Sequence, residues 1–265
     1  MPSNMKAILS VFLLSVFTLV SCGAVITTQE RISGNGKVSE EIRNESGFQE
    51  VRVNRSIHLV LTQAPQYMVK VKADENLLPY IMTEVRDNQL RVTVKDNVRL
   101  TDYEELTVYV SAPEFTVLGA TTSSTLEING PLKASSLKLF ANTSAHLMAD
   151  QGIETGSLKV EMNTSARAEI RVKATDAEIS TGTSSRLDLR GSSESMRLKM
   201  STSSRVEAVA FQVKTLDVDA STSSRASVSV SDRIEGSLNT SSRVEYAGSP
   251  SLNVRANTSG RISSL

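Results

Sequence analysis

Residues 182–205 read GTSSRLDLRGSSESMRLKMSTSSR: a small polar corner, two alternating runs and the next corner. Leu187 and Leu189 alternate with Asp188 and Arg190, and Met196, Leu198 and Met200 alternate with Arg197 and Lys199. Period-two alternation over about five residues marks a half-buried strand, not a helix. The bracketing Thr-Ser pairs suit a bend, because short hydroxyl side chains bond nearby backbone groups. The unit recurs as TTSST (121–125), NTSAH (142–146), NTSAR (163–167), GTSSR (182–186), STSSR (201–205), STSSR (221–225), NTSSR (239–243) and NTSGR (257–261). Successive fifth positions lie 21, 21, 19, 19, 20, 18 and 18 residues apart. The flanks alternate throughout, as in Leu158/Val160/Met162, Leu216/Val218/Ala220, Val206/Ala208 and Ala226/Val228.

One such unit has too few inward side chains to form a core alone. Stacking the copies in parallel register buries the apolar face and pairs each coil's backbone with the next. The expected fold is therefore all-β, a parallel β-helix or β-solenoid with near 20 residues per coil. Its thin core has little room for large rings, in keeping with an aromatic content of 4%. Eight coils at about 4.8 Å each would span about 38 Å. A propeller requires about 40 residues per blade, and a disordered Ser/Thr tail would carry no apolar alternation.

Toward the N-terminus the pattern is still β but less regular. FQEVRVNRSIHLVLTQ (48–63), YMVKVKADENLLPYIMTEV (67–85), QLRVTVKD (89–96) and ELTVYVSAP (105–113) are alternating or β-branched runs with turn residues between them. Only Asp74 to Met82 has room for a helical turn, limited by Pro79. No linker separates this region from the repeats. The sequence divides into residues 1–21, a signal peptide; 22–32, a tether; 33–118, irregular first coils of one continuous β-helix; and 119–265, the regular solenoid.

The signal assignment rests on Lys6 followed by the apolar run AILSVFLLSVFTLV (7–20) and then Ser21-Cys22. That run has the length of a signal-peptide core and is short for a spanning helix, which needs about 20 residues. Leu19-Val20-Ser21-Cys22 resembles a bacterial lipobox, and Cys22 is the chain's only cysteine. The expectation is an exported bacterial lipoprotein, acylated at Cys22, held by lipid in the outer membrane. Cleavage removes Lys6 alone, leaving 28 basic and 29 acidic side chains.

Ser33-Gly34-Asn35-Gly36, Gly47-Phe48 with Val51, Ile57-x-Leu59-x-Leu61-Thr62-Gln63 and Ala73-Asp74-Glu75-Asn76-Leu77-Leu78 together resemble the auto-transporter adhesin head GIN domain family of bacterial envelope proteins. The resemblance covers roughly residues 40 to 260. It implies a right-handed parallel β-helix and export or lipid anchoring, and it implies no biochemical activity. The family pattern has Gly before its Ile and a small polar residue after it, where this chain has Ser56 and His58.

Chemistry is sparse. With 29 basic and 29 acidic residues the chain lacks the basic footprint of a nucleic-acid binder. The two histidines, His58 and His146, are far apart in sequence, no G-x-S-x-G elbow occurs, and no His/Cys spacing suggests a metal site. No catalytic residue, cofactor or metal is expected. The Asn-Thr-Ser sequences at the corners read as turn chemistry. What stands out is the fifth slot of the repeat, occupied by Arg167, Arg186, Arg205, Arg225, Arg243 and Arg261. Parallel stacking would place them one above another, where adjacent like charges repel by about 0.9 kcal/mol in water. Glu169, Asp188, Glu207 and Glu245, two residues on, are expected to neutralise much of this column. If the column is not neutralised it becomes a candidate ligand ladder for an acidic polysaccharide. The expected function is a non-catalytic, adhesin-like interaction surface for a polysaccharide or protein. The rivals are a polysaccharide-active β-helix enzyme, for which the loops are short, and a purely structural spacer.

Overall fold

A computed structural model describes residues 29–265, and it is a parallel β-solenoid. Eight Thr-Ser corners close seven complete turns, about 34 Å of stack at the usual strand spacing. Each turn has three faces. The strand Arg186–Met200 shows them: Arg186 to Leu189 follow the corner, Gly191 to Ser193 form the back, and Ser195 to Met200 approach the next corner. Its neighbours Arg167–Thr181 and Arg205–Ala220 pair with it in parallel along all three faces. The inward residues form one continuous core: Ile179, Leu198 and Val218 stack on the face before the corner, and Leu187 and Val206 on the face after it, all fully buried. Coil length varies from 18 to 21 residues, and the differences are absorbed where register shifts at the back bend, as between Ala149/Ile153 and Asp188/Gly191.

The corners hold register by an uncommon device. In every copy the second and third residues have positive φ, 42–54° at Thr and 60–65° at Ser. This left-handed geometry costs an L-residue about 1–2 kcal/mol, and a β-branched residue rarely adopts it. Backbone pairing offsets the cost. The third-position N–H donates to the second-position carbonyl of the next coil, from Ser123 to Thr143 (2.9 Å) through Ser241 to Thr258 (3.0 Å). Within a corner the fourth N–H closes onto the first carbonyl, as Ala145 does on Asn142 (3.3 Å). The side chains of Asn142 and Asn163 accept from the N–H of Thr143 and Thr164 at 2.8 and 2.9 Å. The fourth residue points inward and is small: Ala145, Ala166, Ser185, Ser204, Ser224 and Ser242 are all buried.

A ninth corner lies outside the Thr-Ser pattern. Arg55 and Ser56 have φ of 60° and 61°, and the Ser56 N–H donates to Thr122 O (3.1 Å). Ser56 therefore occupies the left-handed slot that serine fills in the other corners. A glycine would fit there without strain.

The first coils are not laid down in sequence order. Glu50–Val53 and His58–Gln63 form a coil that sits between Gln89–Val94 with Leu106–Ala112 on one side and Val117–Thr121 with Thr125–Ile128 on the other. The chain passes outward beyond this coil and then returns across it. Beyond the outermost coil the pairing becomes antiparallel: Met68–Asp74 lies against Leu106–Ala112, Val38–Arg43 against Met68–Asp74, and Ile81–Arg86 against Gln89–Val94. These strands cover the N-terminal end, which would otherwise expose parallel edges. Among the described residues the single helical turn is a 3-10 turn at Leu78–Tyr80. Glu30–Ser33, where the tether was expected to end, pairs in parallel with Val98–Thr101.

Asp74 ties this cap together. Wholly buried, its carboxylate accepts the N–H groups of Gly36 (2.8 Å), Glu104 (3.1 Å) and Glu105 (3.3 Å). Gly34 packs so closely that a Cβ there would lie 2.2 Å from Asp74 Oδ2. Asn76 bonds Ser33 O (2.8 Å) and receives the Asn35 N–H (3.1 Å). The Ser-Gly-Asn-Gly and Ala-Asp-Glu-Asn segments are thus two halves of one structural clasp.

Candidate functional site

Register places the six arginines in one column. Arg167 lies opposite Arg186, Arg186 opposite Arg205, then Arg225, Arg243 and Arg261, each on the neighbouring coil. The column continues through His146, Thr125 and His58 toward the N-terminal end. Five of the arginines are exposed and Arg205 is half-exposed. The small buried fourth residue sets this geometry, since it fixes the corner and sends the fifth side chain outward.

The acids two residues on form a parallel column on the same face, Glu169, Asp188, Glu207 and Glu245, interrupted by Ser227 and Ser263. Neutralisation by contact does not follow. Among the described residues, none of the six arginines forms an ion pair within 4.0 Å or a side-chain hydrogen bond. Asp188 turns instead to Arg190 (3.1 Å), and Glu169 faces His146 (3.8 Å). A shallow depression of about 200 Å³ lies among Arg205, Glu207, Arg225, Ser227, Arg243 and Glu245.

On the face before the corner several bases are paired, although among the described residues Lys199 and Arg255 form no ion pair within 4.0 Å. Lys138 meets Glu161 at 2.6 Å, Lys159 meets Glu161 (3.4 Å) and Glu178 (3.5 Å), and Arg197 meets Asp217 (3.3 Å). The Lys138 hydrogen bond holds the Glu161 carboxyl below the usual carboxylate range, against its partial burial. Glu161 and Glu178 raise the Lys159 ammonium. Over the segments 167–171, 186–190, 205–209, 225–229, 243–247 and 261–265, the arginine face carries eight basic and four acidic side chains. The corresponding segments 158–162, 177–181, 196–200, 216–220, 234–238 and 252–256 carry four basic and five acidic. A chain neutral as a whole is polarised across its faces.

The histidines do not converge with a nucleophile. His58 Nε2 bonds Glu127 Oε2 at 3.1 Å, and both histidines belong to the arginine column. The membership of His58 was hidden in the sequence because its corner, Asn54 to Ile57, has no Thr-Ser pair; the usable signal was a polar turn flanked by alternation on both sides. Among the described residues no group of three or more His, Cys, Asp or Glu is arranged to hold a metal, and no helix is long and apolar enough to cross a membrane. A groove of about 860 Å³ at the back bend is lined by Gln63, Lys133, Glu154 and Lys173; Gln63 Nε2 donates to Pro113 O (2.9 Å) and Lys133 pairs with Glu154 (3.0 Å), while Lys173 forms no ion pair within 4.0 Å among the described residues. Cys22 lies outside the described residues.

Residues 47–250 match the family described as "Putative auto-transporter adhesin, head GIN domain". The chain belongs to this family. Three solved structures superpose on it. A "putative adhesin" from Parabacteroides merdae aligns with TM-score 0.84 and 20% identity over 89% of this chain and 99% of that one. A "putative adhesin" from Parabacteroides distasonis gives 0.83 and 19% over 89% and 100%. A protein from the same species described as a "putative lipid binding protein" gives 0.80 and 20% over 89% and 100%. At these identities the likeness is one of fold. A search of curated proteins found no match. For a head GIN domain protein, the outward columns of a regular solenoid are the natural place to look for an interaction surface.

Proposed function

We propose that the chain is an exported, lipid-anchored and non-catalytic envelope protein whose solenoid presents an adhesin-like interaction surface. The observation that carries this reading is the repetition of one cationic side chain, coil after coil, on an open sheet face. Such a surface suits an extended partner held by many equivalent contacts rather than a small substrate enclosed in one pocket. Family membership supports the adhesin-like role. The apolar run 7–20 and Leu19-Val20-Ser21-Cys22 support export and acylation, with the membrane as the first partner and the outer membrane as the location. Acyl chains contribute about 0.8 kcal/mol per buried CH₂, so removing the acylated side chain removes most membrane affinity.

The test combines fractionation with adhesion. Cys22→Ser is expected to leave the membrane fraction, and cells lacking the chain are expected to lose attachment to a polysaccharide-coated or protein-coated surface. A Cys22→Ser protein that stays in the membrane at full level would overturn the anchor. Attachment that is unchanged without the chain would overturn the adhesin-like role.

A further inference from the structure

We infer that the arginine column binds an acidic polysaccharide lengthwise along the solenoid axis, through the carboxylate or sulfate groups of successive sugars. The inference rests on the adhesin-like reading and names its ligand class. Three observations converge on it. Among the described residues none of the six column arginines has an acidic partner within 4.0 Å, while on the other face Lys138, Lys159 and Arg197 do and Lys199 and Arg255 do not. The acid column beside them is interrupted at Ser227 and Ser263, which leaves Arg225 and Arg261 with no acid two residues on. The column is straight, because every arginine is the direct register partner of the next.

A straight row of unpaired cations concentrates positive potential along one line, and its field complements a linear polyanion laid on it. Arginine is the suitable residue, since its planar fork matches a carboxylate or sulfate in two parallel hydrogen bonds. The rungs lie about 4.8 Å apart, a spacing of the order of one sugar unit in an extended chain. Nucleic acid fits less well. A DNA strand bears a charge every 3.4 Å or so, denser than this column, and single strands want aromatic platforms. The outward positions 167, 169, 186, 188, 205, 207, 225, 227, 243, 245, 261 and 263 include no aromatic residue. The Glu and Asp beside the arginines favour a sparsely charged ligand over a dense one, by repelling the latter.

The experiment uses the full chain in detergent micelles and three immobilised probes: polygalacturonate, its carboxyl-reduced neutral counterpart, and a single-stranded oligodeoxynucleotide. Polygalacturonate is expected to bind at low salt and weaken steeply as salt rises, with the neutral polymer and the oligonucleotide bound at least tenfold more weakly, about 1.4 kcal/mol. Arg205→Gln, Arg225→Gln and Arg243→Gln together should reduce binding at least about tenfold. Lys159→Gln, Lys199→Gln and Arg255→Gln together remove the same charge from the other face and should change binding less than about twofold. These arginines are exposed or half-exposed, so the thermal midpoint of the triple variant confirms that the fold persists. Equal loss in both triple variants, tight binding of the oligonucleotide, or no polygalacturonate binding at low salt would each overturn the inference. If the arginine variant still restores cell attachment while polygalacturonate is not bound, the column is overturned and the adhesin-like role stands. If attachment does not depend on the chain but polygalacturonate binds through the column, the opposite holds.

Discussion

Phe140 lies across Gly119 of the adjacent coil, where a Cβ would stand 1.9 Å from Phe140 Cζ. The ring reaches past the glycine to the guanidinium of Arg52, one coil further on, at 5.2 Å from its centroid. Gly119 is thus the empty square over which an aromatic covers two neighbours. Gly119→Ala is expected to displace the ring and cost about 1–3 kcal/mol. In a Phe140→Ala background the same change should cost little. Thermal denaturation of the four proteins in this cycle checks the coupling, and additive effects would contradict it.

Leu198 is fully buried between Ile179 and Val218, whereas its neighbour Lys199 is exposed. Leu198→Asp places a carboxylate in an aliphatic stack with no partner and should cost several kcal/mol or block folding. Lys199→Gln should stay within about 0.5 kcal/mol of the parent. Comparable loss of stability in the two would mean that the strand faces the other way.

The buried fourth-position serines are not equivalent. Ser124 Oγ bonds Val53 O (3.0 Å) and Thr121 O (2.7 Å), but Ser185 Oγ and Ser224 Oγ have no partner. Ser124→Ala is expected to destabilise by about 1 kcal/mol, the typical net value of a hydrogen bond. Ser224→Ala is expected to be neutral or stabilising, as Ala145 and Ala166 already fill the same slot. Denaturant midpoints distinguish the two outcomes.

The lowered Glu161 carboxyl sets a sign for acid sensitivity. A carboxyl whose folded pKa is depressed contributes stability above its unfolded pKa and loses it as pH falls through the folded value. Glu161→Gln should therefore lose stability at neutral pH and show a flatter acid limb than the parent. The group is largely solvated, so the effect should be under about 1 kcal/mol. Urea melts at neutral and acid pH measure it.

Asp74→Ala removes the acceptor of three N–H groups in the N-terminal clasp. Several kcal/mol are expected, because each stranded donor costs about 1–3 kcal/mol. Hydrogen exchange should show the loss concentrated around Gly36 and Glu104, with the distant coil at Arg225 still protected, since each coil contacts only its neighbours.

The regular coils are legible in the sequence because their information is local and repeated. Corner chemistry, alternation and period together place Leu198 inside, Lys199 outside and the six arginines in line. Other features depend on contacts that no short window contains. Alternation at Met68–Asp74 and Ile81–Arg86 marks strands but says nothing of direction, so the antiparallel cap and the out-of-order first coils do not show. The ninth corner lacks a Thr-Ser pair, although Ser56 takes the same backbone conformation. Asp74 looks like any turn acid until Gly34 and Glu104 are brought to it. At the arginine column the spacing places Glu207 on the same face as Arg205, yet it cannot choose between an ion pair and two solvated neighbours.

The corners have one more consequence, for how such a molecule changes over generations. Because each meets the next through the same backbone bond and a small buried fourth residue, any two are near-equivalent joints. Unequal exchange between them would insert or delete one whole turn, with both flanking turns meeting surfaces they already fit. The row of guanidinium groups would lengthen or shorten by one. The length of that row is then a matter of copy number, adjustable in single steps without redesigning the core.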